Sequence, residues 1–500
     1  MVLIRKKNVW IAGLGILALF ALRGVAERVA IDEALSDVCA PIEWRGETPW
    51  ETPVSTNITT VTLDEVIAQV FSNSVTIQSA EAAVRSAKRE VSIQRSAYWP
   101  ALSFGSTWGE EYDGRGHRDK DSDAYTASLN ATWVLFDGFQ REFSVLKSAH
   151  DRNAQKFAEQ EVRRGLHQLI STVWFATVLA QDRMDASQQD IFFNKRMLET
   201  EVEKYRADVG RRSDILNFKV KLMEDVNTYF TQRLLFDSNI TILETLLQTN
   251  GVLSVNTHRF IDPYPDGMNF LEADLEEQIE YARHIRADIR QQEARVASAK
   301  IDVNRMRSSR LPTVTLNADY SVGPDSTYDF DVPDAAGSSI EIALTWPLFS
   351  GFSSHHQIIR SKIQHLIAEL DLEQKELDLR EELTRLFKNF KNALHLYYNA
   401  TLRREAALED RELVTLLYQN NLVRVTRLNE VQKDSVHSTE QFIKSRVRVG
   451  EAWEAILIAS GRMRPAASVQ YPHSNSTNTA ALFYIQDLAS EPLLKKSEKE

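Results

Sequence analysis

Two periodicities alternate along the chain. In the first, apolar residues recur every seven positions: Ile77, Val84 and Val91, with Ala80 and Ala87 between them. Ile289, Val296 and Val303, with Ala299, repeat the pattern further on. A seven-residue period predicts helices packed along a left-handed coiled-coil seam. Pro100 and Pro312 end these helices. In the second, apolar and polar residues alternate. Leu102, Phe104 and Trp108 oppose Ser103, Gly105 and Thr107 in 100–109, and Tyr125, Ala127, Leu129, Ala131, Trp133 and Leu135 oppose Thr126, Ser128, Asn130 and Thr132 in 124–136. Val314, Leu316, Ala318 and Tyr320 oppose Thr313, Thr315, Asn317 and Asp319 in 312–320, and Ile340, Ile342, Leu344, Trp346 and Leu348 oppose Ser339, Glu341, Ala343 and Thr345 in 338–349. Alternation predicts strands with one apolar and one wet face. Each segment is about ten residues, the length of a tilted strand crossing a bilayer. Trp99, Trp108, Tyr125, Trp133, Tyr320 and Trp346 suit an interfacial aromatic girdle. A soluble sheet with a buried face is the competing reading of the alternation. The intervening loops, 110–123 and 321–337, are polar.

Very long helices follow each strand pair. Between Gly138 and Gly251 there is no proline, and the only glycines are Gly165 and Gly210; from Phe352 to Val449 there is neither. Phe139–Ala207 alone predicts about 100 Å of helix at ~1.5 Å per residue. Asp208-Val209-Gly210 and Asn420-Asn421 mark the turns into return helices over 211–250 and 424–460. The rising and return helices together roughly match the long helix, which gives two layers of helix packing in each half.

The chain is internally duplicated. Residues 62–100 align with 274–312 at an offset of 212, with 14 of 39 positions identical, among them Glu81/Glu293, Ser86-Ala87-Lys88/Ser298-Ala299-Lys300 and Pro100/Pro312. At an offset of 213, Trp133, Leu135-Phe136, Gly138 and Phe139 match Trp346, Leu348-Phe349, Gly351 and Phe352, and Tyr205 and Arg211 match Tyr418 and Arg424. The expected organisation is a signal peptide (1–26), an irregular leader (27–61), a first repeat (62–251, with a β-hairpin at 99–137), a linker (252–273), a second repeat (274–465, hairpin at 312–349) and a tail (466–500).

Composition narrows the setting. The formal charge of −11 gives no electrostatic reason to expect nucleic-acid binding. Arg5, Lys6 and Lys7, the apolar run Val9–Leu22 and Gly24-Val25-Ala26 read as an export signal. The only cysteine, Cys39, lies well beyond the apolar run and reads as a lone thiol rather than an acylation site. No GxxxxGK[ST] phosphate loop and no HExxH occur, so neither ATP hydrolysis nor zincin chemistry is expected. His355-His356 point about 100° apart on a helix and Glu381-Glu382 read as solvated charges. The expectation is no enzyme, no cofactor and no metal.

Four strands cannot close a barrel, and an open edge in lipid leaves backbone groups unpaired. The chain must therefore oligomerise; a trimer gives 12 strands and a lumen too wide for side chains to fill, whereas a dimer is nearly plugged. The expected fold class is mainly α with a membrane β-barrel part: duplicated long helical hairpins forming an α-barrel, and four strands per chain in a trimeric transmembrane β-barrel. Thr126, Asn130, Asn317, Asp319 and Glu341 would face the barrel lumen, with Trp108, Trp133, Tyr320 and Trp346 in the girdle. A hollow barrel on a hollow helical cylinder is a conduit across the space beneath an outer membrane. The rival class is a secreted coiled-coil scaffold or adhesin stalk without a pore, which explains the helices but not the alternation.

With its duplication, the paired Trp-x-Leu-Phe-x-Gly-Phe motifs at Trp133–Phe139 and Trp346–Phe352, the segment Tyr205-x-x-x-Val-Gly-Arg-Arg-Ser-Asp-Ile-Leu216 and the related 418–431, the chain resembles the TolC family of outer-membrane channel proteins over about 60–465. The resemblance implies a homotrimer among outer-membrane lipids, a tunnel in the periplasm, and docking to a periplasmic adaptor (membrane-fusion) protein and an inner-membrane pump of RND or ABC type. It implies passive export of small molecules (efflux) or type I protein secretion. It also places adaptor docking and the periplasmic entrance at two tips: Val209, Gly210, Arg211, Ser213, Asp214, Ile215 and Leu216, and Leu422, Val423, Arg424, Thr426, Arg427, Leu428, Asn429 and Glu430. Some members line the entrance with aspartates from the second tip; Asn429 and Glu430 stand there in this chain, and Val423 replaces a glycine. The run Thr426–Glu430 leans towards a type I secretion-like channel.

Overall fold

The computed structural model describes residues 59–112, 118–249, 253, 258–261, 263, 275–323 and 336–462, with backbone alone over 109–112 and 118–125. The expected signal peptide, Cys39 and the tail lie outside the described residues.

The elements recur as the sequence repeat does. Helices α1 (Leu63–Asn73) and α2 (Val75–Ser96), strands β2 (Ala101–Tyr112) and β3 (Arg118–Phe136), and helices α3 (Gln140–Arg206) and α4 (Arg212–Leu247) form the first set. The second is α5 (Leu275–Ile285), α6 (Ala287–Ser308), β5 (Thr313–Val322), β6 (Ala336–Thr345), α7 (Ser353–Gln419) and α8 (Val425–Ala459). Helices α3 and α7 are 67 residues each. No helix among the described residues is long and apolar enough to cross a membrane.

Left-handed backbone geometry repeats too. Among the described residues, the positive-φ positions are Gly138, Phe139, Asp208, Gln248, Gly351, Phe352, Asn421 and Gly461. They fall into four pairs, each 213 residues apart. The last two pairs end helices in the same way. At the turn after α3, Asp208 N–H bonds the Tyr205 carbonyl and Val209 N–H the Lys204 carbonyl, both at 3.0 Å; after α7, Asn421 bonds Tyr418 and Leu422 bonds Leu417, both at 2.9 Å. These are left-handed caps that satisfy the last carbonyls of the helix.

The rising helix expected over each first forty residues is broken once. Ser74 leaves helical geometry (φ −59°, ψ 121°), and its hydroxyl accepts the Ile77 N–H at 3.5 Å. Arg286 takes the same turn (φ −64°, ψ 129°) between α5 and α6. A residue with a short polar side chain that caps α2 offers the backbone an alternative to continuing α1. A second departure lies in the stretches read as irregular leader and linker. Their residues Thr59–Val61 (β1) and His258–Phe260 (β4) pair as a short parallel ladder. Three residues are too few to show a period.

Two compact units cut across the repeats. Among the described residues, one combines those up to Val66 with those of 170–268 and Phe390–Trp453; the other combines Ile67–Leu169, those of 269–389 and those from Glu454. The first unit holds β1, β4 and the two hairpin turns. Its core includes Trp174 and Phe236, both packed edge-on to Phe260. Gln181 clamps β4 there, donating to the Phe260 carbonyl at 3.1 Å and accepting its N–H at 3.0 Å.

The second unit holds the four-stranded sheet, in the order β2-β3-β5-β6 with antiparallel pairing. In the same unit, Ala282, Ile289, Leu379, Leu383 and Ala459 form a core cluster. The heptad positions Ile77, Val91, Ile289 and Val303 are buried, as a coiled-coil seam requires. The nearly buried Arg286 fixes the α5–α6 break by reaching Glu382 at 2.6 Å and the Ala459 carbonyl at 3.2 Å.

Candidate functional site

Register sorts the sheet into two faces. Phe104, Leu129 and Tyr320 stand opposite one another across three strands, as do Leu102, Ala131, Ala318 and Ile340 across four, and Trp133, Leu316 and Ile342. The other face carries Ser103–Asn130–Asp319–Ser339 and Ala101–Thr132–Asn317–Glu341. The residues expected to line a lumen, Thr126, Asn130, Asn317, Asp319 and Glu341, therefore share one face, with Asn130 paired to Asp319 and Asn317 to Glu341.

The apolar face is uncovered. Phe104 is 74% exposed and Ile340 80%. A soluble sheet would hide this face against a core, because each large side chain left in water forfeits about 1.5–3 kcal/mol of burial. Trp108, Trp133, Tyr320 and Trp346 are exposed as well. Trp108 lies opposite Tyr125, eight residues along β3 from Trp133, or about 27 Å at ~3.4 Å per residue. Trp346 follows the last residue of β6, since Pro347 stops the strand. The backbone ladder continues to Glu110↔Asp123 and Tyr112↔Arg118, so part of the expected polar loop is strand.

The join from strand to helix is built from side chains that periodicity does not single out. Asp137 Oδ2 accepts the Arg141 N–H at 3.0 Å and lies 3.2 Å from the Arg141 guanidinium. That guanidinium donates to the Val134 carbonyl at 2.7 Å and sits over the Tyr98 ring at 5.0 Å. In the second repeat the Ser350 hydroxyl accepts the Ser354 N–H at 3.3 Å. His355 and His356 are exposed, and Glu382 is engaged by Arg286 rather than forming an acid pair with Glu381.

The two tips lie side by side in the other unit. Met197 and Phe218 of the first hairpin and Val414, Tyr418, Leu428 and Val431 of the second form one core cluster, with Val423 packed against it. Asn429 donates to Asn217 across the hairpins at 2.9 Å. Burial pushes the Tyr418 hydroxyl above its ordinary pKa, and the Glu201 carboxylate it bonds adds to the push. Lys204 sits over the Tyr418 ring at 4.5 Å and pairs with Glu201 at 2.9 Å.

The expected tip residues divide by burial. Ile215 and Leu428 are fully buried and hold the tip together. Val209, Arg211, Ser213, Leu216, Leu422, Arg424, Thr426, Arg427 and Glu430 are exposed, while Gly210, Asp214, Val423 and Asn429 are intermediate. Arg427 bridges Asp410 of α7 at 3.2 Å and Glu430 of α8 at 2.9 Å. Gly210 is required by space: a Cβ there would meet the Tyr205 nitrogen at 2.7 Å.

The sequence model of the outer membrane efflux protein family matches residues 66–217 and 279–462. The chain belongs to that family. It is an outer-membrane efflux channel protein and not an enzyme. Among curated relatives, Protein CyaE of Bordetella pertussis is 23% identical over 361 residues, spanning 70% of this chain and 73% of its own length. Solved channels share the mainly helical fold. The CusC structure superposes with a TM-score of 0.70 at 12% identity, covering 84% of this chain and 99% of CusC. The outer-membrane channel CmeC of Campylobacter jejuni gives 0.69 at 13% identity, covering 90% and 94%. In this efflux-family chain the match takes in both tips and both strand pairs.

Proposed function

We propose that three copies of this chain close their sheets into a 12-stranded barrel in the outer membrane, joined to a helical tunnel through which substrates driven by an inner-membrane pump and a periplasmic adaptor leave the cell. The observation that carries the reading is the sheet's uncovered apolar face, of bilayer length, backed by a face of Thr, Asn, Asp and Glu. Lipid suits the first face and a water-filled lumen the second. Among the described residues, the outer edges of β2 and β6 have no partner strand. Unpaired backbone in hydrocarbon costs several kcal/mol per group, which supports closure by neighbouring copies. An exposed apolar stripe on α7, Ile359, Ile363, Leu366, Ile367, Leu370 and Leu377, supports packing of copies along the helices.

The proposed adaptor contacts are the exposed tip residues Val209, Arg211, Ser213, Leu216, Leu422, Arg424, Thr426, Arg427 and Glu430, with Gly210, Asp214, Val423 and Asn429 shaping them. Light scattering and negative-stain microscopy of the detergent-extracted protein test the assembly. A trimer is expected; a monomer that stays soluble without detergent would overturn the barrel. Planar-bilayer recording tests the pore, including variants at Arg211, Asp214 and Arg424. The tip run Thr426–Glu430 favours type I protein secretion over small-molecule efflux. Deleting the gene decides: loss of a secreted protein is expected, and drug sensitivity with an unchanged secreted proteome would reverse the assignment.

A further inference from the structure

Two carboxyl–amide pairs lie within the unit that holds the tips. Asn194 of α3 donates its amide N–H to Asp225 Oδ2 of α4 at 2.5 Å. Gln432 of α8 donates to Asp190 Oδ1 of α3 at 3.2 Å. Asn194 and Gln432 are almost wholly buried, and in each the amide oxygen, Oδ1 and Oε1, has no hydrogen-bond partner. An orphaned buried acceptor is costly and asks for a donor.

A carboxylic acid is the donor that fits. A primary amide and a protonated carboxyl form a two-bond ring, N–H to one carboxyl oxygen and O–H back to the amide oxygen. Each pair already makes the first of these bonds and lacks the second. An ionised carboxylate instead places negative charge beside an unpaired amide oxygen.

We propose that Asp190–Gln432 and Asp225–Asn194 form a proton-binding site that ties α3 to α8 and α3 to α4, closed by two protons at mildly acidic pH and loosened when they leave. The inference goes beyond the channel reading and does not depend on it. The surroundings favour protonation. Burial first, then the Asp225 charge, pushes the Asp190 carboxyl up to about 7, against the pull of Arg411 at 3.9 Å on α7 and the Gln432 bond. Burial likewise pushes Asp225 up to about 6, with Glu224 adding to the push and Asn194 and Lys221 opposing it. Both folded values lie above the ~3.9 of an unfolded aspartate. The native state therefore binds the extra protons, and the stability they confer is complete below about pH 4 and lost as pH rises through about 6 and 7.

Infrared titration of the detergent-extracted full chain tests this by reading the C=O stretch of protonated carboxyls. Two such groups are expected to persist at pH 5.5 and ionise near 6 and 7, with one missing in Asp190→Asn and the other in Asp225→Asn. Ionisation of both in the ordinary carboxylate range, or bands that neither variant removes, overturns the proposal. Hydrogen exchange gives a second readout. In the wild type, protection of amides over 186–198, 221–229 and 428–436, corrected for intrinsic rates, should fall by up to about tenfold per pH unit for each carboxyl ionising between pH 5.5 and 7.5. Asparagine at either position supplies a permanent N–H to the orphan oxygen, so each variant should flatten that dependence. A slope unchanged in both overturns the proposal; should a variant misfold, the wild-type infrared titration still decides.

Discussion

Trp133 donates its indole N–H to the Tyr98 carbonyl at 3.0 Å, and 213 residues later Trp346 donates to the Arg310 carbonyl at 3.1 Å. One bond, made twice by equivalent residues, ties the end of each inner or outer strand to the end of the helix that precedes its hairpin. Both indoles are exposed on one side, which suits a ring with an apolar body and a polar tip held at an interface. Trp133→Phe and Trp346→Phe should each cost about 1 kcal/mol, and the losses should add, because the sites share no partner. Thermal unfolding of the detergent-extracted protein checks this.

The glycines at the strand-to-helix joins are equivalent in conformation but not in surroundings. Gly138 (φ +67°) and Gly351 (φ +60°) both take left-handed geometry. A Cβ on Gly138 would meet the Leu311 Cβ at 2.6 Å and the Ser308 carbonyl oxygen at 2.8 Å, whereas on Gly351 it meets nothing within 4 Å. Gly351→Ala should cost about 1 kcal/mol of backbone strain. Gly138→Ala should cost several times that. Equal melting shifts would contradict the close approach at Gly138.

Ile215 and Leu216 are neighbours with opposite duties. Ile215 is buried and Leu216 is 45% exposed. Ile215→Ala should destabilise the tip by about 2–4 kcal/mol through lost contacts and a cavity. Leu216→Ala should leave the melting temperature nearly unchanged and weaken adaptor capture, read by pull-down with the purified adaptor. Loss of stability at Leu216 would place it in the core instead.

Asp319 and Glu341 put negative charge on the polar face of the sheet. Lined by three copies, such a lumen should prefer cations. The double variant Asp319→Asn, Glu341→Gln should move the reversal potential in a salt gradient towards zero selectivity while conductance persists. An unchanged reversal potential would take these residues off the conducting path.

The amino-acid order was enough to read the long helices from their lack of proline and glycine, the four strands and the sidedness of Asn130, Asp319, Asn317 and Glu341 from alternation, and, from matched residues at a fixed offset, the duplication that returns in the paired left-handed residues. These are legible because a helix and a strand impose fixed repeats on whichever residues face the same way. Family membership was legible through the duplication and the motifs at strand ends and turns.

What only the tertiary structure decided rests on contacts between residues far apart in the chain. Ile215 and Leu428 look like tip surface in sequence, yet both are buried, Leu428 in the cluster where the two hairpins pack against each other. Ser74 and Arg286 break the rising helices through a cap and through distant partners such as Glu382. The three-residue ladder of Thr59–Val61 with His258–Phe260 has no period to read, and Gln181 holds it from another element. The carboxyl–amide pairs are assembled from three helices, so their shared proton chemistry has no sequence signature. Local repeats follow from backbone geometry; burial and charge follow from which faces meet, and only the folded chain settles that.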